Sequence, residues 1–229
     1  MRLVILPGMD GGGTLLAPFE AALPPWIAPE VVEYPPDRRL GYGALESKAR
    51  GHLSSPEPAA LLAESFSGPI AIRIASDPPP QLKALILVAT FARLPLPAAV
   101  RFAVTPALFA LRPPKALLRR TLLSSDSSDA LVEALRAAIA RTSPRVMAHR
   151  IRAALRVDVR EEFESLRIPI LVLEGRKDHL LRPLVHGRRH DLRVVTLDAP
   201  HLVLEAAPLE SASVVAGFLD TCVNGARPR

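Results

Sequence analysis

The feature that most constrains the fold is an apolar run that ends on a serine between small residues, at positions 61–68 (LLAESFSG). Ser65 is flanked at two-residue spacing by Ala63 and Ser67. A strand that turns into a helix within one or two residues needs small neighbours there, because its strained backbone lifts the serine hydroxyl clear of the sheet. The pattern therefore indicates a nucleophile elbow, with Ser65 as the candidate nucleophile.

The sequence on either side has the order that an elbow requires. Residues 59–62 are wholly apolar, as in a central parallel strand, and residues 69–75 have the pattern of a helix with proline in its first turn. Taken alone, the motif is equally compatible with Ser65 as a simple helix N-cap. The rest of the chain favours catalysis.

Two further predicted strands end on the groups that a serine nucleophile needs. Residues 168–175 form an apolar run that leads to Asp178, and residues 192–197 form another that leads to His201. The chain order is thus nucleophile, acid and base, which differs from the orders of chymotrypsin-like and subtilisin-like enzymes. We expect Asp178 to orient His201, and His201 to act as the base for Ser65.

A glycine-rich turn at residues 7–14 follows a predicted first strand at residues 2–6. Such a turn can direct backbone amides inward, and glycine-rich loops after strands also bind phosphates. This one lacks the spacing of a P-loop, and Gly11-Gly12-Gly13 lacks the Gly-x-Gly-x-x-Gly spacing of a dinucleotide site. A nucleotide site is therefore disfavoured.

Together these features resemble the α/β-hydrolase superfamily, and in particular its small bacterial carboxylesterase-like members with a helical lid, such as the pimeloyl-carrier-protein methyl ester esterases. The resemblance spans nearly the whole chain. It rests on the elbow at Ser65, Gly-x-x-Asp at 175–178, Ala-Pro-His at 199–201 and the glycine-rich loop. Ala63 and Glu64 depart from the commoner Gly-His-Ser-x-Gly form.

The resemblance implies an α/β fold with a mostly parallel sheet flanked by helices, and a helical lid inserted between two late strands. It also implies an oxyanion hole made of two backbone N–H groups. One comes from the loop after the first strand and the other from the residue after the nucleophile, which by position are Met9 and Phe66.

The length of 229 residues suits one domain. A strand is predicted at 82–89, and the next clear strand begins only at Ile168. The interval between them is rich in Ala, Leu and Arg at helical spacing and is interrupted by prolines. We therefore predict a core of residues 1–91 and 166–229 and a lid of residues 92–165.

The predicted lid carries the whole positive excess of the chain. Residues 92–165 contain 13 Arg or Lys against 7 Asp or Glu, a surplus equal to that of the chain, which has 29 against 23. A basic lid could attract an anionic substrate, an acidic carrier protein or an anionic membrane surface, but solvated helix faces are the favoured explanation because no Lys/Arg block is long and unbroken. Nucleic-acid binding is disfavoured because aromatic residues are only 4% of the chain.

Compartment and metal signals are few. Cys222 is the single cysteine, residues 1–6 are too short an apolar run for a signal peptide, and no run is long enough for a membrane span. We therefore expect a cytoplasmic protein. His186 and His190 are the one i, i+4 histidine pair; with two arginines and no acid between them, they indicate a surface pair rather than a metal site.

The expected activity is hydrolysis of a small-molecule carboxylic ester or thioester through a Ser65-His201-Asp178 triad and an acyl-enzyme, with no cofactor or metal. The same residues would serve an acyltransferase if an alcohol or amine outcompeted water, and a carbon–carbon bond hydrolase is another lid-bearing relative. The alternative from a different class is a catalytically silent binding module on the same fold.

Overall fold

A six-stranded sheet forms the centre of the computed structural model, which describes residues 1–95, 99–181, 184 and 192–224. Its strand order is β2-β1-β3-β4-β5-β6, and every neighbouring pair is parallel. The strands are β1 (Arg2–Leu6), β2 (Ala28–Val31), β3 (Ala59–Glu64), β4 (Leu82–Val88), β5 (Ile170–Gly175) and β6 (Leu192–Leu197).

Helices connect the strands and cover both faces of the sheet. They are α1 (Ala17–Ala22), α2 (Tyr42–His52), α3 (Gly68–Ser76), α4 (Val100–Ala103), α5 (Lys115–Thr121), α6 (Asp129–Arg141), α7 (Pro144–Ala154), α8 (Arg160–Ser165), α9 (Val203–Ala206) and α10 (Pro208–Asn224). Short 3₁₀ turns occur at Thr14–Leu16, Ser65–Ser67 and Pro106–Phe109. No helix in the described ranges is long and apolar enough to cross a membrane.

The central strands are apolar throughout because both of their faces are buried. In β3, Leu61 and Ala63 point to the side covered by α2 and α3, whereas Ala60 and Leu62 point to the side covered by α1 and α10. This two-sided burial holds the carboxyl ends of the strands at one edge, where the loops that follow β1, β3, β5 and β6 meet.

The mostly parallel α/β fold expected from the sequence is confirmed, but β2 was not predicted. Its sequence, Ala-Pro-Glu-Val, contains Pro29 and is only half-buried. A proline is tolerated there because β2 is an edge strand that pairs with β1 alone. On its open side β2 has no neighbouring strand, so a missing N–H on that side costs no hydrogen bond of the sheet.

The interval between β4 and β5 is helical, as expected, and contains α4 to α8. The hydroxyls of Ser128 and Ser143 cap α6 and α7 by accepting hydrogen bonds from N–H groups in the first turn of each helix. Apolar side chains of α5 and α6 pack with Leu15 and Leu202 of the core. Whether residues 92–165 act as a separate lid stays a prediction.

Candidate active site

Ser65 lies at a sharp turn directly after β3. Its φ of 48° is in the left-handed region, which is strained for a residue with a side chain. The turn is close to Thr90, whose hydroxyl donates to the Ser65 carbonyl. Gly68 makes this approach possible, because a Cβ there would lie only 1.9 Å from the Thr90 Oγ1 atom.

Hydrogen bonds from hydroxyl groups also hold the turn, and sequence reasoning did not assign these groups a role. The Ser67 hydroxyl donates to the Pro7 carbonyl at 2.5 Å and accepts from the Tyr34 hydroxyl at 2.8 Å. Tyr42 stacks on Phe66 with 4.9 Å between ring centroids, and its hydroxyl donates to the Phe66 carbonyl at 3.0 Å. Ser67 is thus more than a small neighbour, since it joins the elbow to the glycine-rich loop.

Ser65, His201 and Asp178 form a continuous hydrogen-bonded chain. The Ser65 Oγ atom lies 2.8 Å from His201 Nε2, and His201 Nδ1 lies 2.8 Å from Asp178 Oδ2. Ser65 therefore faces the imidazole and makes no capping bond to the helix that follows. The three side chains that the sequence singled out, far apart in the chain, come together at the carboxyl edge of the sheet.

Asp178 is held in its ionised form. Its Oδ1 atom accepts hydrogen bonds from the backbone N–H groups of Leu180 (2.7 Å) and Leu181 (2.9 Å). Burial alone would raise the pKa of Asp178, but the bonds from His201 and from these two amides outweigh it, so the pKa lies below its usual value. An ionised carboxylate in this position fixes the orientation of the His201 ring.

The loops that carry the acid and the histidine pack directly on each other at Gly175. A Cβ at Gly175 would lie 2.3 Å from the Pro200 carbonyl oxygen, so a side chain has no space there. The backbone N–H of Lys177 also donates to the Ala199 carbonyl at 2.9 Å. The glycine of the Gly-x-x-Asp sequence thus has a steric role in bringing Asp178 to His201.

The helical interval contacts the histidine loop through Leu202. Its backbone N–H donates to the Leu122 carbonyl at 3.1 Å, and its side chain packs in the apolar cluster of α5 and α6. The position of His201 therefore depends on these helices as well as on β6.

The glycine-rich loop is fixed by Arg150 of α7, which sequence reasoning missed. The guanidinium is buried and donates to the carbonyls of Met9 (2.7 Å) and Pro35 (3.1 Å). It reaches them because Gly11, with a φ of 77°, has no side chain; a Cβ there would lie 2.7 Å from Arg150 Nη1. No sequence pattern separates Arg150 from the other arginines of this helix.

Asp10 takes part in the loop itself. Its Oδ2 atom accepts from the Gly12 N–H at 3.1 Å, and its carbonyl accepts from the Thr142 hydroxyl at 2.8 Å. Burial is the main cause that raises the pKa of Asp10, while the Arg150 charge acts in the opposite direction. The use of the Met9 and Phe66 N–H groups as oxyanion donors stays a prediction, and His186 and His190 lie outside the described residues.

Comparisons with known proteins agree with this architecture. Residues 44–194, more than half of the chain, match the family model described as serine aminopeptidase, S33. This segment contains Ser65 and Asp178, and His201 lies just beyond it. A search of curated protein sequences gave no match.

Several solved structures share the fold at low sequence identity. The chain is similar to an enol-lactonase from Burkholderia xenovorans LB400 (TM-score 0.78, 19% identity, covering 95% of this chain and 90% of that one). It is similar to a thermophilic esterase from Thermogutta terrifontis (TM-score 0.79, 20% identity, 97% and 90% covered). It is also similar to a bromoperoxidase from Bacillus anthracis (TM-score 0.75, 14% identity, 96% and 91% covered). On the family match and the shared fold, the chain belongs to the serine aminopeptidase S33 family of hydrolases, within the α/β-hydrolase superfamily.

Proposed function

We propose that this member of a hydrolase family cleaves carboxylic esters or thioesters through an acyl-enzyme on Ser65. The observation that carries the proposal is the chain of two 2.8 Å contacts from Ser65 Oγ through His201 to Asp178, with Ser65 on a strained turn. Nucleophile, base and orienting acid at this spacing are the requirements for activating a serine hydroxyl.

In the first half of the reaction, His201 Nε2 accepts the Ser65 proton while Oγ bonds to the acyl carbon. The carbonyl π electrons move to oxygen, and the Met9 and Phe66 N–H groups bind the resulting oxyanion; each such donor contributes about 3 kcal/mol. The C–O or C–S bond to the leaving group then breaks, and His201 returns the proton to the departing alkoxide or thiolate.

In the second half, water takes the place of the leaving group. His201 accepts a proton from the water as its oxygen attacks the acyl-enzyme, and then returns that proton to Ser65 as the carboxylic acid departs. Asp178 remains ionised throughout and stabilises the imidazolium. An alcohol or amine in the place of this water would make the same residues an acyltransferase.

The surface of the helical interval favours an anionic lipid surface as partner. Large apolar side chains face solvent there, with Phe102 73% and Leu111 83% exposed, and Leu108 is also exposed. Arg112 and Arg120 are exposed on the same interval and form no ion pair within the described residues. Apolar side chains beside free positive charge suit a surface of anionic lipid better than a soluble acidic carrier protein.

Peptide hydrolysis is the second candidate, because the matched family is described as a serine aminopeptidase. The same triad can cleave an amide if His201 protonates the leaving amine. An aminopeptidase also needs an acceptor for the substrate ammonium group. Asp10, the acid on the glycine-rich loop, already accepts from Gly12 and lies near the Arg150 charge, which favours an uncharged ester over a cationic peptide terminus.

The test is a panel of p-nitrophenyl esters from acetate to palmitate and of amino-acid p-nitroanilides, assayed with wild type, Ser65→Ala and Ser47→Ala. Ser47 is an exposed serine that bonds only within α2, so it provides the matched control. Ester turnover that is lost in Ser65→Ala and kept in Ser47→Ala supports the proposal. Turnover of anilides alone would favour the peptidase. If no substrate is turned over and fluorophosphonate does not label Ser65, a binding module would be favoured.

A further inference from the structure

Two buried glutamates lie behind the proposed catalytic residues, and the mechanism does not use them. Glu64 is the last residue of β3, directly before Ser65, and is 2% exposed. Glu205 is in α9, four residues after His201, and is 8% exposed. Burial of an ionised carboxylate is costly unless a cation or several donors stabilise it.

No cation stabilises this pair within the described parts of the chain. The two carboxyl groups contact each other at hydrogen-bonding distance. One oxygen of each, Glu64 Oε1 and Glu205 Oε2, is fully buried with no donor directed at it. Two adjacent carboxylates cannot both be ionised at low cost, whereas with one proton between them one carboxyl group donates a hydrogen bond to the other.

The surroundings of the pair disfavour a second negative charge. Asp10, in the glycine-rich loop, is close enough to both carboxyls for its charge to act on them. The positive charge of Arg150 interacts with Asp10 and not with the glutamate pair. The Gly8 peptide lies beside the Glu64 carboxyl: a Cβ on Gly8 would lie 3.5 Å from Glu64 Oε2, and the Gly8 N–H acts to lower the pKa of Glu64. The pair therefore contacts the peptide that precedes Met9.

We propose that Glu64 and Glu205 share one proton, and that this proton holds together three elements of the proposed active site: the turn at Ser65, the loop that presents the Met9 N–H, and the helix that follows His201. They are positioning residues, because neither reaches the reacting atoms. Loss of the shared proton leaves two buried negative charges in contact, which drives these elements apart and lowers turnover at alkaline pH. The effect on turnover rests on the proposed function, whereas the sharing of the proton does not.

The pH dependence of stability has a definite sign. Burial is the largest cause that raises the pKa of both glutamates above their usual range, and the charge of Asp10 acts in the same direction. As pH rises, the unfolded chain loses these protons first, so the pair stabilises the fold below the ordinary glutamate pKa. That stability is lost as pH rises through the pKa of the folded state.

The experiment compares wild type with the double variant Glu64→Gln/Glu205→Gln, in which an amide pair keeps the contact but cannot titrate. Glu210→Gln, on the exposed first turn of α10, is the control. We expect kcat/KM of wild type and of the control to fall about tenfold per pH unit on an alkaline limb, as for one essential proton, and the double variant to lose this limb. The same limb in all three proteins would overturn the proposal.

A second readout needs no turnover. Urea unfolding as a function of pH is measured in the Ser65→Ala background, with and without the double substitution. A loss of stability with rising pH that is confined to the protein with both glutamates supports the shared proton even if no ester is cleaved, in which case only the proposed function fails. Identical pH dependence in both would overturn it.

Infrared spectroscopy of wild type covers the case in which the double variant does not fold. A carbonyl stretch of a protonated carboxyl group at neutral pH, whose frequency shifts when the carboxyl partner is replaced by an amide in a single Glu205→Gln variant, is the expected result. The absence of such a band from wild type would overturn the proposal.

Discussion

Gly175 and Pro200 are in direct backbone contact: a Cβ on Gly175 would lie 2.3 Å from the Pro200 carbonyl oxygen and 2.5 Å from that of Ala199. Because both obstacles are backbone atoms, a methyl group cannot be accommodated by rotating a side chain. Asp178 follows three residues after Gly175, and His201 follows Pro200. The distance between acid and base therefore depends on the absence of one methyl group.

We expect Gly175→Ala to lower kcat by about 10²-fold or more, since small displacements of catalytic groups have effects of this size. The loss would come from separation of Asp178 and His201. The control is Gly217→Ala in α10, where a Cβ meets nothing within 4 Å. That change should leave kcat unaltered and stabilise the helix by up to about 1 kcal/mol. Full activity in Gly175→Ala would contradict the steric argument.

The strain at Ser65 predicts a difference between two inactive variants. Ser65→Gly relieves the φ of 48°, whereas Ser65→Ala keeps a Cβ in the left-handed region. The glycine variant should therefore be the more stable by about 1 kcal/mol, even though glycine also increases the entropy of the unfolded chain. Urea unfolding of the two proteins tests this, and a less stable glycine variant would show that the strain at Ser65 is smaller than the entropic cost of glycine.

How far the sequence predicted this molecule depended on the range of each interaction. The apolar runs of β3 and β5 and the order of Ser65, Asp178 and His201 are local signals, and they predicted the sheet and three side chains that meet. The short edge strand β2 carries no such signal, since its proline matches a loop as well as an edge.

The contacts that support the site were less predictable because they are long-range. Arg150 lies 141 residues from Met9, and nothing in α7 marks it as the arginine that turns inward. Glu64 stood out only as a departure from histidine, and its partner Glu205 becomes evident only when α9 is placed beside the glycine-rich loop. The role of such a residue depends on how deeply it is buried and on which group it contacts. Both are known only from the three-dimensional fold.

Asp178 predicts a pH effect of opposite sign to that of the glutamate pair. Its pKa lies below the usual value, so its bonds stabilise the fold above the ordinary aspartate pKa, and this stability is lost as pH falls through the folded-state pKa. Asp178→Asn should remove this acid dependence from urea unfolding and lower kcat by about 10⁴-fold, the effect of a misoriented histidine in triad enzymes. Asp37→Asn, at an exposed aspartate between β2 and α2 with no ion pair in the described residues, is the control for both measurements.

The proposed lipid contact predicts binding that needs both apolar side chains and charge. Wild type should sediment with vesicles rich in phosphatidylglycerol, and binding should weaken with salt and be absent with phosphatidylcholine alone. Phe102→Ser/Leu111→Ser should reduce it at least about tenfold. Leu209→Ser, at an equally exposed leucine of α10, should not. Equal binding of wild type and the double variant would remove the helical interval as the contact surface.

The buried guanidinium of Arg150 should affect turnover through the loop that it holds. Arg150→Met leaves the Met9 and Pro35 carbonyls without their donor and removes the charge beside Asp10, so we expect a loss of about 3–5 kcal/mol in unfolding free energy. If the Met9 N–H binds the oxyanion, the variant should lose kcat with little change in KM, because that bond forms only in the transition state. Arg145→Met, at an exposed position of the same helix, should change stability by less than about 0.5 kcal/mol and leave kcat unaltered. A variant that loses stability yet keeps its kcat under folding conditions would restrict Arg150 to a structural role and count against Met9 as an oxyanion donor.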